Sequence, residues 1–244
     1  MCLDKLYMQR CLDLAIQGKP YAFPNPLVGC VIVKNNKIIS EGYHKKFGEK
    51  HAEIEAISKI KDKKILKGSN IYINLEPCSH YGKTPPCVNE ILKYKFNRIV
   101  IGTLDPFREV NGKGVQKLKK YNLKISCLEN KCKKINKRFF VNNQKNRPYI
   151  ILKWAQTKNN FIGNKSFKKE RLIISNNKSM KISHKWRSVE AAILIGKNTA
   201  LTDNPRLTTR LCKGRNPTRI VLDQNLELNK TLNVFNKDAE TLII

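Results

Sequence analysis

Three good zinc ligands stand far apart in this chain, in the short segments His51-Ala52-Glu53, Pro77-Cys78 and Pro86-Cys87. Zn²⁺ is held by nitrogen and sulfur donors in a tetrahedron, and closed structural sites draw all four ligands from protein. No fourth cysteine lies nearby, so one position is left open for water. A neutral imidazole and two thiolates cancel the charge of the metal, and such a centre still lowers the pKa of its water toward ~7. Glu53 is the carboxylate that a structural site does not need, and it reads as the proton shuttle for that water.

A histidine, one residue, a glutamate and then a Pro-Cys pair is the signature of zinc-dependent base deaminases, which place two residues between their cysteines. Here residues 79–86 separate them. The stretch Leu75-Glu76-Pro77-Cys78-Ser79-His80-Tyr81-Gly82-Lys83-Thr84-Pro85-Pro86-Cys87 resembles the zinc segment of the bifunctional riboflavin-biosynthesis pyrimidine deaminase/reductase family. Asn25-Pro26-Leu27-Val28-Gly29 and His51-Ala52-Glu53 fit the same pattern. The resemblance implies a cytidine-deaminase-like three-layer α/β/α domain. It also implies deamination of a diaminopyrimidinone carrying ribose 5-phosphate, with Glu53 catalytic and one Zn²⁺ on His51, Cys78 and Cys87. Asn25 would contact the pyrimidine or ribose, although an Asn before Pro also simply shapes a turn. His44, His80 and Lys83 read as cations around the ribose phosphate. The family's Asp-Pro-Asn-Pro loop reads Asp105-Pro106-Phe107-Arg108 here, which keeps Asp105 as a substrate contact and loses the next one.

At 244 residues the chain has room for two modest cores. Hydrophobic periodicity predicts a helix over residues 3–17, then strands over 27–34 and 37–43 joined by Asn35-Asn36, a pair that tolerates positive φ. A helix over 51–61 puts His51 and Glu53 in its opening turn. Strands over 69–75, 98–104 and 123–128 alternate with helices over 87–94 and 114–120. Such alternation implies a sheet covered on both faces with its site at strand ends, the two cysteines lying near helix starts. A lysine-rich helix over 129–143, anchored by Ile135 and Phe139, leads to a boundary at Arg147-Pro148, dividing domains 1–146 and 147–244.

Beyond the boundary, strands are expected over 148–155, 172–174, 191–195 and 219–222, with a helix through His184, Trp186 and Arg187. Pro148-Tyr149-Ile150-Ile151-Leu152-Lys153, Ile193-Leu194-Ile195-Gly196, Asp203-Asn204-Pro205, Leu207-Thr208-Thr209-Arg210 and Pro217-Thr218-Arg219-Ile220-Val221-Leu222-Asp223 resemble the family's reductase domain. That implies a dihydrofolate-reductase-like fold and NADPH-dependent reduction of the ribosyl chain. Arg187 and Arg210 would clamp the substrate phosphate, since guanidinium forks suit phosphate oxygens. By position, Lys153, Arg171 and Leu207 fall to the substrate pocket and Gln156, Ile173, Thr199 and Asp203 to the cofactor. The family's Ser-Leu-Asp-Gly turn reads Thr157-Lys158-Asn159-Asn160 here, and the tryptophan expected near Ile173 is absent. The family's reductase also runs on into further strands and a Glu-Gly-Gly segment. The expectation is therefore a truncated, incomplete reductase domain that reduces poorly, with an apolar strand edge at 242–244 favouring a homo-oligomer.

Eight cysteines without a disulfide-like framework, and no signal-like or membrane-spanning run, imply a cytoplasmic protein away from membranes. Net charge is +29, which by itself points to nucleic acid. Lysines outnumber arginines 37 to 11 and are spread along the whole chain, the pattern of solvated faces. The partner expected is thus a small phosphorylated pyrimidine and no nucleic acid. Two rival readings are a base deaminase acting on tRNA or single-stranded DNA and a non-catalytic zinc-binding interaction module. The long cysteine spacing and the reductase-like second half speak against the first, and Glu53 against the second.

Overall fold

The computed structural model describes residues 3–126, 128–163 and 173–244. Contacts divide the chain into two compact units, Met1–Ile150 and Ile151–Ile244.

In the first unit, β1 (Gly29–Lys34) and β2 (Lys37–Tyr43) form an antiparallel hairpin. Asn35 and Asn36 turn it with φ of 50° and 58°, as the sequence predicted. β1 also pairs antiparallel with β3 (Asn70–Ile73), and parallel strands β4 (Arg98–Ile101) and β5 (Asn122–Ile125) follow, giving the order β2-β1-β3-β4-β5. Side chains alternate across the sheet. Cys30, Ile32, Ile71, Ile73, Ile99 and Ile101 face one core, with Ala52, Ala56 and Ile57 of α2 (Ala52–Ser58), Val88 and Ile91 of α3 (Cys87–Leu92) and Leu118 of α4 (Lys113–Leu118). Val31, Val33, Tyr72 and Val100 face the other, with Tyr7, Met8, Cys11 and Leu12 of α1 (Leu3–Gln17). Near-continuous apolar strands are what a sheet buried on both faces requires, so this unit is the expected three-layer α/β/α sandwich. At Gly42 on β2 an added Cβ would lie 2.4 Å from the Ala52 carbonyl oxygen and 2.5 Å from the Ala56 nitrogen. Backbone of α2 thus rests directly on the strand.

The single helix expected over 129–143 is instead two, α5 (Glu129–Ile135) and α6 (Lys137–Lys145). Asn136 breaks it at φ −104° and ψ 21°. Its buried side chain accepts from Leu27 N at 2.8 Å and donates to Leu27 O at 2.9 Å, tying this hinge to the chain just before β1. The buried anchor of α6 is Phe140, not Phe139, because the break rotates the helix face.

The second unit holds α7 (Asn177–Val189), β6 (Ala192–Gly196), α8 (Lys197–Asp203), β7 (Thr218–Leu222) and β8 (Thr241–Ile243), its strands parallel in the order β6-β7-β8. Val221, Ile193, Ile195 and Ile243 pack on Ala200, Leu207, Leu228 and Val234. Arg219 is fully buried on the same sheet. It donates to the carbonyls of Arg206, Asn233, Asn236 and Ala239 and to Asn236 Oδ1, pinning the connection between β7 and β8. The strand expected over 148–155 does not form: Ile150 is 64% and Leu152 79% exposed, and no ladder partner is present for it among the described residues. Ile173 and Ile174 also lie outside any strand, and Leu172 is outside the described residues. Helix α8 was not foreseen. Among the described residues no helix is long and apolar enough to cross a membrane.

Candidate active site and anion corner

His51 is the N-cap of α2, in extended conformation, and its side chain makes no capping bond. Its imidazole is thereby released toward the cysteines. Cys78 follows β3, and Cys87 opens α3. The amides of Cys87 and Val88 reach back 3.3 Å to Cys78 Sγ and 3.2 Å to Cys78 O, so the α3 start and the Cys78 loop are one piece. His51 Nδ1 lies 3.5 Å from Cys78 Sγ and 3.3 Å from Cys87 Sγ, and the three ligand atoms all fall within 4.8 Å of one another. A tetrahedral zinc with bonds of about 2.0 to 2.3 Å needs ligand atoms about 3.6 Å apart, so the donor set fits the metal.

The thiols support the same reading. Cys78 is pushed down to about 4, first by its contact with Cys87 and then by His51 and the Cys87 amide, while buried Cys87 beside it is pushed up. Two sulfurs in contact cannot both ionise without a cation between them. Glu53, in the first turn of α2, is 3% exposed, and its Oε2 has no hydrogen-bond partner. Burial, then the charge at Cys78, raises its pKa. A buried orphan carboxylate oxygen beside three metal-binding atoms is an acceptor waiting for a proton donor.

Around this centre, His44 stacks edge-on to His51 with ring centroids 5.2 Å apart. His44 Nδ1 lies 3.1 Å from Lys50 O and its Nε2 3.0 Å from Asn25 Nδ2. Nδ1 must therefore donate and Nε2 accept, which makes His44 neutral. Burial lowers its pKa further. His44 was expected near the ribose phosphate; in this structure its two ring nitrogens are engaged by Asn25 and Lys50. His80 is half-buried, edge-on to Phe107 at 5.5 Å and 4.0 Å from Glu109 Oε2. Lys83 is exposed, with Nζ 4.2 Å from the Phe47 ring centroid. Asp105 is buried, accepts from Phe107 N at 2.8 Å and is pushed up to about 7 by burial, with Glu76 and Cys78 adding to it.

The reading of residue types missed Glu76. Its carboxylate accepts from the amides of Asp105, Gly112 and Val115 at 3.1, 2.9 and 3.0 Å, which holds the whole 105–115 loop against the segment leading into Cys78. The only sequence signal was its place between a strand and Pro77.

In the second unit Arg187 and Arg210 do converge. Arg187 Nη1 donates to Thr208 O at 3.1 Å and Arg210 Nη1 to Thr208 Oγ1 at 3.3 Å. Leu207 is on the same loop, buried, with φ of 55°. Thr199 lines a cavity of about 590 Å³ with Gly196, Lys197, Leu222, Asp223 and Gln224, at the carboxyl ends of β6 and β7. Asp203 ends α8 and is exposed. Lys153, Gln156 and Ile173 are exposed, and the bonds of Gln156 run to Trp154 and Asn160, so none of the three joins this cavity in the described contacts. Arg171 lies outside the described residues.

Residues 1–103 match the cytidine and deoxycytidylate deaminase zinc-binding region, and residues 148–244 match the RibD C-terminal domain. The expectation of a truncated reductase is not supported, since the second match places a reductase domain in the chain. The riboflavin biosynthesis protein RibD of Aquifex aeolicus is 39% identical over 99% of this chain and 68% of its own length. The diaminohydroxyphosphoribosylamino-pyrimidine deaminase of Buchnera aphidicola (Schizaphis graminum) is 48% identical over 56% of this chain and 93% of its own. The crystal structure of a diaminohydroxyphosphoribosylaminopyrimidine deaminase/5-amino-6-(5-phosphoribosylamino)uracil reductase from Thermotoga maritima aligns with a TM-score of 0.89 at 36% identity, over 99% of this chain and 69% of that one. The chain spans 59 to 68% of the length of three RibD relatives it matches. With the zinc-ligand geometry in the first unit and both family regions matched in order, the chain belongs to the family of RibD riboflavin biosynthesis proteins.

Proposed function

We propose that the first unit deaminates a diaminopyrimidinone carrying ribose 5-phosphate and that the second reduces the ribosyl group of the product. The observation that carries this reading is Glu53, a buried carboxylate with an unpartnered oxygen next to His51, Cys78 and Cys87. Those three residues would hold one Zn²⁺, which when bound supplies a water acidified to a pKa near ~7. Glu53 would act as the proton carrier of a hydrolysis in which a water oxygen bonds to the ring carbon, the carbon–nitrogen bond breaks, and the proton taken up by Glu53 goes to the leaving amine, giving ammonia and a ring carbonyl. Asn25, held by neutral His44, orients the pyrimidine. His80 and Lys83 receive the ribose phosphate, and Asp105 contacts the sugar.

In the second unit, the cavity at the ends of β6 and β7 takes the cofactor, in the position where parallel sheets bind ligands. NADPH, when bound, supplies the hydride for C1 of the opened ribose. Arg187 and Arg210 hold the phosphate, with Lys153 and Leu207 toward the substrate and Thr199 and Asp203 toward the cofactor. The substrate is a small molecule and not a nucleic acid, because the lysines are dispersed and the Cys78–Cys87 loop matches that of small-molecule deaminases. The six described cysteines are all free, which suits the cytoplasm.

The test is Glu53→Gln. It should keep about one zinc per chain yet lose 10² to 10⁴ in rate of ammonia release, roughly the usual share of general acid/base catalysis. Cys87→Ala should lose the metal. A Cys87→Ala protein with full zinc and activity, or ammonia release from tRNA at a rate comparable to the pyrimidine, would overturn the reading.

A further inference from the structure

The loop that carries Arg210 is held by side chains at three successive amides. Thr209 N donates to Asn216 Oδ1 at 2.7 Å, while Arg210 N and Leu211 N both donate to His184 Nδ1, at 2.8 and 3.3 Å. Leu207, one turn earlier, is locked in the apolar core with φ in the left-handed region, a strained state that persists only when its surroundings over-determine it. His184 sits on α7 one turn before Arg187, is 4% exposed, and reaches the Arg210 amide 26 residues further along the chain.

The hydrogen bonds fix its protonation. A ring nitrogen that accepts two amides carries no proton, so neutral His184 bears its hydrogen on Nε2. Burial and the neighbouring Arg187 and Arg210 lower its pKa and keep it neutral. Nε2–H then faces Arg187 Nη1 across 3.5 Å, and two donors meet there with no acceptor between them. Among the described residues no ion pair joins Arg187 or Arg210 to a carboxylate. The Thr209 hydroxyl in the same loop is also buried without a partner. Facing donors and an unpartnered hydroxyl together suit an anionic oxygen.

We propose that His184 is the positioning residue of this anion corner: through Nδ1 it sets the 208–211 loop so that Arg210 and Arg187 face one phosphate group. The inference rests on the proposed reading of the two arginines as the phosphate clamp. His184 acts through Arg210 and need not touch the reacting carbon.

The experiment uses the whole chain and ribose 5-phosphate, titrated calorimetrically against the parent protein, His184→Leu, His184→Asn and Arg210→Ala, all carrying His80→Ala and Lys83→Ala so that the phosphate site proposed in the first unit does not contribute. Asn can offer Oδ1 where Nδ1 stood, whereas Leu offers no acceptor. Expected are a loss of about tenfold or more in affinity for His184→Leu and Arg210→Ala, and a change within about threefold for His184→Asn, tenfold being 1.4 kcal/mol. Nitrogen-15 NMR of the wild-type imidazole should show Nδ1 unprotonated and Nε2 protonated. This readout stands even if His184→Leu does not fold, and a protonated Nδ1 overturns the proposal. Affinity lost in Arg210→Ala but kept in His184→Leu overturns the role of His184 alone. Parent protein that does not bind ribose 5-phosphate overturns the clamp and the inference together.

Discussion

Replacing Glu76 by Gln tests whether one carboxylate holds the loop beside the zinc ligands. Oε2 accepts from Asp105 N and Gly112 N, and Oε1 from Val115 N. In the best orientation of the amide, its oxygen keeps Asp105 and Gly112 while its NH₂ opposes the Val115 amide. One buried donor is then unmet, at about 1 to 3 kcal/mol. The two remaining bonds lose their ionic character and roughly half their strength, adding on the order of 1 kcal/mol. The loop should therefore open about 2 to 4 kcal/mol more easily, which is roughly 30- to 1000-fold faster hydrogen exchange when exchange follows local opening. Trp154 and Trp186 both lie in the second unit, so tryptophan fluorescence is blind to this change. Hydrogen exchange read by mass spectrometry on peptides covering 105–115, with β1 peptides as the internal control, reports it directly. Exchange in those peptides within about threefold of wild type would show that the carboxylate is not what holds the loop.

Arg219→Lys leaves at least two of the five acceptors around this fully buried side chain unmet, because an ammonium has three donors, and should destabilise the second unit by about 2 to 5 kcal/mol. Urea unfolding followed by tryptophan emission is the check, and an unchanged midpoint counts against the count of bonds. Burial works to raise the pKa of Asp4, but hydrogen bonds from Lys124, Tyr72 and Arg98 outweigh it and hold the carboxyl below its usual range. Its stabilisation is thus complete above the unfolded pKa of about 3.9 and is lost as pH falls through the lower folded value. Asp4→Asn should be less stable at neutral pH and show a flatter stability profile below about pH 4, measured by circular dichroism, and an acid limb as steep as wild type would contradict this.

Where local signals and tertiary packing agreed, the sequence was readable. Asn35-Asn36 was a turn on chemistry alone, and the spacing of His51 and Glu53 placed both at a helix start because that start is set by the apolar positions Ala56 and Ile57 behind it. Readings failed where a side chain answers to a partner far along the chain. Asn136 breaks a continuous-looking helix for the sake of Leu27, 109 residues earlier. Nor did the sequence signal that His44 bonds Asn25 and the Lys50 carbonyl. Residues 148–155 have the β-branched and aromatic content of a strand, yet a strand needs a neighbour, and none is paired with them. His184 and Glu76 gave no composition signal, since their work is done on backbone amides whose positions no motif records.

At Gly42 the missing methyl group sets the height of α2 above the sheet. His51 and Glu53 ride on the first turn of that helix, so the imidazole and the carboxylate share one foundation and move as a pair. A side chain at position 42 would lift both by the same amount while leaving Cys78 and Cys87, which stand in the loop after β3 and at the start of α3, where they are. The mutual distance of shuttle and histidine is thus insulated from packing changes, and the seam along which this centre can be loosened runs between the nitrogen ligand and the two sulfurs.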